Sequence, residues 1–398
     1  MPLRGTGAPY LPDRAFGKSL QAVAGNRARS ASQELDRVSH TSDSSNISPV
    51  THGQAYDRLV DSDVGRLPAD VDAVVRHFGI GEPLCTGRVA EGLLNRGYRL
   101  DTTTGRYFLK EYVDAPYAAV GTIRTQHRAT ARLHRLGLPV AAPLAARDGG
   151  TVLALDGSHF ALYPWIEGSH RHGTELHPEQ CAALGSLLGR VHTTLGQILP
   201  APPGSPQPSA DPAATARRLD ELAERARSAV PREDFDRLAA ARLAERQELL
   251  SAYAHRRPAP NAAPPTGWVH GDFHPLNLLY CREQPAAIID WDRLGSRPPA
   301  EEAVRAATLF FHDRATGVLD LSRVRRFSRG YRAAAGCSVE EAAAAVHRVW
   351  WERLNDFWIL EWHYLRGDRR ADPLFASAAG QIVWWCEEYE QVLDAYVN

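Results

Sequence analysis

The chain has 398 residues, 44% hydrophobic and 23% charged, with 46 Lys+Arg against 47 Asp+Glu and a formal net charge of −1. That is enough chain to bury two ordinary cores, and the balanced charge leaves no cation surplus to displace counterions from a phosphate backbone, so nucleic acid is excluded as the default partner. No run reaches the roughly 18 apolar residues of a membrane helix and the N-terminus has no apolar signal core, so a soluble, cytoplasmic protein with no membrane partner is expected.

Five cysteines (Cys85, Cys181, Cys281, Cys337, Cys386) are far apart and never form a C-x-x-C pair. They signal neither a disulfide framework nor zinc and are expected as small buried apolar residues. Only Lys18 and Lys110 are lysine; every other basic residue is arginine. A lysine in an ordered segment of such a chain asks for a reason, because arginine's planar fork was evidently available.

In chain order, residues 1–65 are rich in Ser, Gly, Arg and Asp without apolar periodicity and read as a mobile extension. A short helix from about Asp70 leads into an antiparallel hairpin, Leu93–Leu100 and Arg106–Val113, around the turn-rich DTTTG. Pro116 suits a first helical position, and Tyr117–Leu136 reads as a helix stopped by Gly137 and Pro139. Strands at Thr151–Leu155 and His159–Tyr163 flank Asp156-Gly157. The remainder reads as mostly helical: Pro178–Leu199, a charged stretch Pro212–Arg256, then 300–335, 338–366 and 373–396. The expected fold is α+β and bilobal, with a small antiparallel-sheet lobe over 66–165 and a helical lobe over 166–398.

Between two Pro-rich breaks and the last helices lies WVHGDFHPLNLLY…AAIIDWD, with His270-Gly271-Asp272, Asn277 five residues on, and Asp290 after an apolar run. Gly271 and Pro275 forbid a regular helix, so Asp272 and Asn277 belong to a loop. Short strands at Leu278–Tyr280 and Ile288–Ile289 would form a hairpin that sets Asn277 beside Asp290. An amide oxygen next to a carboxylate is a hard-oxygen site suited to Mg²⁺, which shares its coordination with waters and phosphates, and leaves Asp272 free to address a hydroxyl. His270 and His274 have the spacing of a helical zinc pair, but the intervening Gly and following Pro deny them the helix; His270 is read as a hydrogen-bonding brace and His170 and His172 as surface loop.

The motif HGDFHPLNLLY with IIDWD resembles the aminoglycoside phosphotransferase and choline kinase-like family, small-molecule kinases of protein-kinase-like fold. A weaker likeness runs over about 80–390 through GRVAEGLLNRGYRL, RYFLKEY, LYPWIEG and ALGSLLGRVH. The resemblance implies Asp272 as the catalytic Asp, Asn277 and Asp290 as Mg²⁺ ligands, and Lys110 as the phosphate-binding lysine. It also implies a hinge at Tyr163, Trp165 and Ile166 that meets the base of ATP or GTP. Gly87, Gly92 and Asn95 would cover phosphates with backbone N–H groups, although the loop is not G-x-G-x-x-G.

The family's helix glutamate partner of Lys110 is missing: Tyr117–Leu136 contains no acid, Gln126 stands near that place, and Glu91 is one candidate substitute. Arg124, Arg128 and Arg132 form a like-charge stripe read as a solvated face. Residues 340–398 carry a local net of −6 (eleven acids, five arginines), and Glu352 and Asp356, one turn apart, are candidates to bind a cationic or polyhydroxylated acceptor. The expected activity is O-phosphotransfer from a nucleotide to a small-molecule hydroxyl of an aminoglycoside-like antibiotic, a sugar or an amino alcohol. Two alternatives stay open: a peptide Ser/Thr hydroxyl as acceptor, and a pseudokinase-like protein that holds nucleotide without transfer. Oligomeric state is not legible.

Overall fold

The structure is a computed structural model describing residues 70–89, 95–113, 119–202, 207–259 and 262–398. The expected extension over 1–65, and with it Glu91, Gly92 and Pro116, lies outside the described residues. The fold is bilobal and protein-kinase-like. Helix α1 (Val71–Phe78), capped by the Asp70 carboxylate, precedes strands β1 (Pro83–Val89), β2 (Arg96–Thr102) and β3 (Gly105–Tyr112). Helix α2 (Val120–Arg135) follows, then β4 (Leu153–Leu155) and β5 (Ser158–Pro164). The five strands form one antiparallel sheet in the order β1-β2-β3-β5-β4.

Alternation along β3 divides the sheet's two faces. Leu109, with Tyr98, Leu100, Phe160 and Leu162, packs against Val74, Val75 and Phe78 of α1. Lys110 and Tyr112 project from the opposite face, toward α2. Ile123 of α2 packs under Tyr112 and Ala161, whereas Ala129 and Leu133 enter the large helical core, so this helix is shared by both lobes.

The helical lobe comprises α3 (Pro178–Ile198), α4 (Pro212–Ser228), α5 (Asp234–Tyr253), α6 (Pro299–Phe310), α7 (Leu321–Ala335), α8 (Val339–Leu354), α9 (Trp358–Glu361), α10 (Phe375–Glu387) and α11 (Tyr389–Val397). Fully buried Trp350, Trp351, Trp385, Phe310 and Phe327 dominate its core, each a burial of about 1.5–3 kcal/mol or more. Helices α3 and α7 cross closely because Gly185 and Gly330 leave room: an added Cβ would stand 2.0 Å from the Phe327 carbonyl oxygen and 2.1 Å from that of Ala182, respectively. Among the described residues no helix is long and apolar enough to cross a membrane.

Several boundaries differ from expectation for identifiable reasons. Strand β1 was not anticipated; it is an edge strand whose burial does not alternate. Its hairpin partner is described from Arg96; the expected start at Leu93 lies outside the described residues. The single stretch Pro212–Arg256 is two helices, broken at Ala229–Pro231, because Pro231 cannot continue the first. The 300–335 stretch breaks after Phe310, and 338–366 after Leu354. Of the cysteines, Cys181 and Cys386 are buried as expected, while Cys85 and Cys281 are exposed.

Candidate active site

Strand β6 (Gly267–Val269) pairs antiparallel with β9 (Gly295–Arg297), which closes residues 270–294 into one loop. Within it the hairpin of β7 (Leu278–Cys281) and β8 (Gln284–Ile288) pairs Leu278 with Ile288. The hairpin is pinned from outside: Ile288 N–H donates to the Pro139 carbonyl (2.7 Å), and Ser169 exchanges backbone bonds of 2.9 Å with Tyr280. Asn277 and Asp290 flank its open end, and the Ile289 N–H bonds the Asn277 carbonyl (3.0 Å).

Residues 275–277 form a short 3₁₀ turn, with His274 Nδ1 accepting the Leu276 N–H (3.2 Å). The buried Asn277 amide donates to the Asp272 carbonyl (2.9 Å), which fixes the amide's two ends and leaves its oxygen as the acceptor. Gly271 has φ +88°, and a Cβ there would lie 2.1 Å from the Arg293 carbonyl oxygen, so the bend before Asp272 requires glycine. Asp290 also adopts a left-handed conformation (φ 57°), a conformation that Asp tolerates better than most residues.

The Asp272 loop rests on a buried polar relay. Glu302, at the start of α6, accepts the backbone N–H groups of His270 (3.0 Å) and Gly271 (2.5 Å) and also bonds His192 Nε2 (2.7 Å); His192 Nδ1 meets the Tyr331 hydroxyl (3.1 Å). His270, with no exposed surface, donates from Nε2 to the Ile289 carbonyl (3.0 Å) and accepts the Asp272 N–H at Nδ1 (3.2 Å). It is therefore the expected brace, linking the Asp272 loop to Ile289, the residue before Asp290. Burial pushes its imidazole below the usual histidine range, which keeps it neutral.

Across the cleft, Lys110 Nζ lies 2.8 Å from Asp290 Oδ1 and 2.7 Å from Asp292 Oδ2, and 5.2 Å from the centre of the Tyr112 ring. Burial works against the ammonium, but the two carboxylates outweigh it and hold the lysine charged beyond its ordinary range. Behind it, Tyr112 and Tyr163 hydroxyls converge on His127 Nε2 (3.1 and 3.2 Å), and burial with the nearby ammonium pushes His127 down to about 4. The two carboxylates ionise unequally. Asp290 is burdened by its enclosure but held below the usual range by Lys110, while burial and its neighbour's charge raise Asp292.

Asp272 stands at the mouth of this arrangement, with His274 Nε2 at 3.7 Å and Arg293 Nε at 3.8 Å from its Oδ2. Partial burial raises its carboxyl, but the neighbouring His274 and then the Arg293 guanidinium prevail and hold it below the usual carboxylate range, so it is ionised. An ionised carboxylate, a buried ammonium, and an amide and a carboxylate at the open end of one hairpin are parts suited to orienting a hydroxyl against a phosphorylated ligand. Among the described residues no cluster of three His, Cys, Asp or Glu side chains stands ready for a metal. The amide oxygen of Asn277 and the carboxylate of Asp290 nonetheless fit a hard cation that completes its shell with water and phosphate oxygens.

The other sequence candidates are dispersed around this centre. Gly87 is half-buried in β1 opposite Arg99, and Asn95 donates to Asp292 Oδ2 (2.5 Å) while accepting the Val113 N–H (3.0 Å). Tyr163 ends in the His127 cluster, Trp165 N–H bonds the Arg106 carbonyl (3.1 Å) at the end of the sheet, and Ile166 is half-buried beside it. At the end of α8, Glu352 pairs with Arg305 (2.9 Å) and the Asp356 carboxylate accepts the Trp358 N–H (3.1 Å). His170 and His172 are not plain surface residues: His170 bonds the Leu278 carbonyl (3.0 Å), and His172 meets His312 edge-on at 5.4 Å. The arginine stripe is exposed, as expected.

Sequence reasoning passed over Asp292, Glu302, His192 and His127. The available signal for Asp292 was D-W-D itself, two acids spaced across a buried Trp291 immediately after an apolar strand.

The family model described as phosphotransferase enzyme family matches residues 87–337. Stress response kinase A of Salmonella typhi is 34% identical over 100 residues, 25% of this chain; the match spans 30% of that relative's length. Homoserine kinase of Burkholderia cenocepacia is 26% identical over 310 residues, 73% of this chain and 86% of the relative. Among solved structures, a spectinomycin phosphotransferase in complex with ADP and spectinomycin superposes with a TM-score of 0.57 at 16% identity, over 82% of this chain and 100% of that one. A microcompartment-associated aminopropanol kinase gives a TM-score of 0.50 at 19% identity, over 83% and 99%. With the family's model covering more than half of its length, from β1 through the Asp272 loop to just past α7, the chain belongs to the phosphotransferase enzyme family.

Proposed function

We propose that the protein transfers the γ-phosphate of a purine nucleotide to a hydroxyl of a small molecule, with a divalent cation, Mg²⁺ above all, as cofactor. One observation carries the reading: Lys110 from the sheet meets Asp290 at 2.8 Å, where Asp290 ends the hairpin that also sets Asn277 against the Asp272 loop. In this reading residues 66–165 hold the nucleotide and 166–398 supply the catalytic loop and the acceptor pocket. Lys110 orients phosphates, aided by backbone groups near Gly87, Gly92 and Asn95. Tyr163, Trp165 and Ile166 border the base. Asn277 and Asp290 would hold the cation, whose contribution is to neutralise phosphate charge. Asp272, ionised at neutral pH, orients the acceptor hydroxyl and takes its proton late, because a carboxylate is too weak a base to remove it beforehand.

An acceptor carrying an ammonium beside its hydroxyl, as in amino alcohols or hydroxy amino acids, is supported by the homoserine kinase likeness over most of the chain and by the acidic candidates Glu352 and Asp356. A peptide hydroxyl is the second reading, supported by the 34% identity over 100 residues, 30% of the relative's length, to a Salmonella typhimurium protein named as a serine/threonine protein kinase. The reading without transfer rested on the missing helix acid; Asp292 supplies Lys110 with a carboxylate, which supports transfer instead. Mass spectrometry for the gain of one phosphate across amino alcohols, hydroxy amino acids, sugars, aminoglycosides and Ser/Thr peptides, with ATP or GTP and Mg²⁺, tests the proposal. Nucleotide binding with no phosphate gained on any of them would overturn it.

A further inference from the structure

The geometry points to Asp292 as the positioning residue that replaces the absent helix acid: it holds Lys110 in place and ties that lysine to helix α2 through Gln126. This rests on the reading of Lys110 as the phosphate-orienting group. The carboxylate is buried and spoken for on two sides, by Lys110 Nζ at 2.7 Å and by Asn95 Nδ2 at 2.5 Å. Its backbone carbonyl accepts the Gln126 amide at 2.6 Å, and Gln126 is itself only 3% exposed.

The connections explain why α2 lacks an acid. In the family's usual arrangement the helix grips the lysine directly through a glutamate. Here the helix grips the main chain of residue 292, for which a donor is required, and the carboxylate at the end of that same residue grips the lysine. A glutamate at 126 would present an oxygen to a carbonyl oxygen in a buried place, so glutamine is the fitting residue. Asn95, just before β2, joins the same carboxylate, and its oxygen also takes the Val113 N–H, so β2 and β3 meet at the side chain of residue 292 and α2 at its carbonyl. Asp290 also touches Lys110, but it is one of the two oxygen donors proposed for the cation; Asp292 is the carboxylate that remains to the lysine.

The test is Mg·ATP affinity of the purified full-length protein, measured by calorimetric titration at saturating Mg²⁺, so that no acceptor is needed. Asp292→Asn is expected to weaken binding by ~10–100-fold, the range typical when the orienting partner of a primary ligand is lost, and Asp292→Glu to recover much of it. Gln126→Glu is expected to weaken binding by about tenfold, with the half-saturating Mg²⁺ concentration unchanged. Where an acceptor is in hand, both variants should lower kcat as well as raise the nucleotide KM. Tighter Mg·ATP binding by Gln126→Glu would mean that the helix still addresses Lys110 directly and would overturn the inference. So would an Asp292→Asn variant whose affinity stays within about twofold, or whose only change is a higher Mg²⁺ requirement, which would make Asp292 a cation ligand. If Asp292→Asn does not fold, Gln126→Glu decides alone. Tight Mg·ATP binding without phosphate transfer would sink the proposed function while leaving this inference standing.

Discussion

Glu302→Gln removes a single charge from beneath the Asp272 loop and changes almost no volume. The carboxylate now serves three donors: the N–H groups of His270 and Gly271 and the His192 ring nitrogen. An amide has one accepting end. With its oxygen toward Gly271 and its NH₂ toward His192, which can switch tautomer, the His270 N–H is left without an acceptor in a fully buried place. An orphaned buried donor costs about 1–3 kcal/mol, and charge-assisted bonds exceed neutral ones by about 1 kcal/mol, so a loss of ~2–4 kcal/mol in stability is expected. The same change releases the backbone at His270, the residue before the bend that aims Asp272, and misplacement by about 1 Å costs ~10²-fold in rate. Urea unfolding with an unchanged slope, together with kcat at saturating nucleotide, measures both. A Glu302→Gln protein within about 0.5 kcal/mol of the parent and equal in kcat would refute the claim that this carboxylate holds the loop.

Three further outcomes are expected. Gly271→Ala places a methyl 2.1 Å from the Arg293 carbonyl oxygen at φ +88°, so it should destabilise by several kcal/mol or prevent soluble expression, visible in melting temperature. His127, buried and held down to about 4 against 6.5 unfolded, contributes stability that is complete above pH 6.5 and lost as pH falls toward 4, because the unfolded chain takes the proton first. That loss is at most about 3 kcal/mol, and His127→Gln should flatten the stability profile over that window in urea titrations. Glu352→Gln breaks only the partly exposed pair with Arg305, so its stability should change by less than about 0.5 kcal/mol; a raised KM confined to ammonium-bearing acceptors would mark it as an acceptor contact.

The parts of the site that were legible in the sequence are those whose geometry is local. His270-Gly271-Asp272, Asn277 and Asp290 sit on one closed loop of the chain, and Gly, Pro and a short apolar hairpin dictate their relative placement. Lys110 could be placed on its strand face by alternation alone. Asp292's roles were hidden because they depend on partners 166 and 197 residues away, Gln126 and Asn95, which no local period can register. Glu302 resembled any first-turn acid of a helix, where a favourable dipole already accounts for it. The edge strand β1 was invisible for a different reason: a strand only partly covered on both faces at a sheet margin has no alternation to detect.

The most direct test of the central claim compares the parent protein with Asp272→Asn in acceptor-dependent phosphate transfer, with Mg·ATP affinity measured alongside. The account predicts transfer reduced by ~10²–10⁴-fold while Mg·ATP still binds, since the carboxylate addresses the acceptor and not the nucleotide. Transfer at the parent's rate by Asp272→Asn would contradict it.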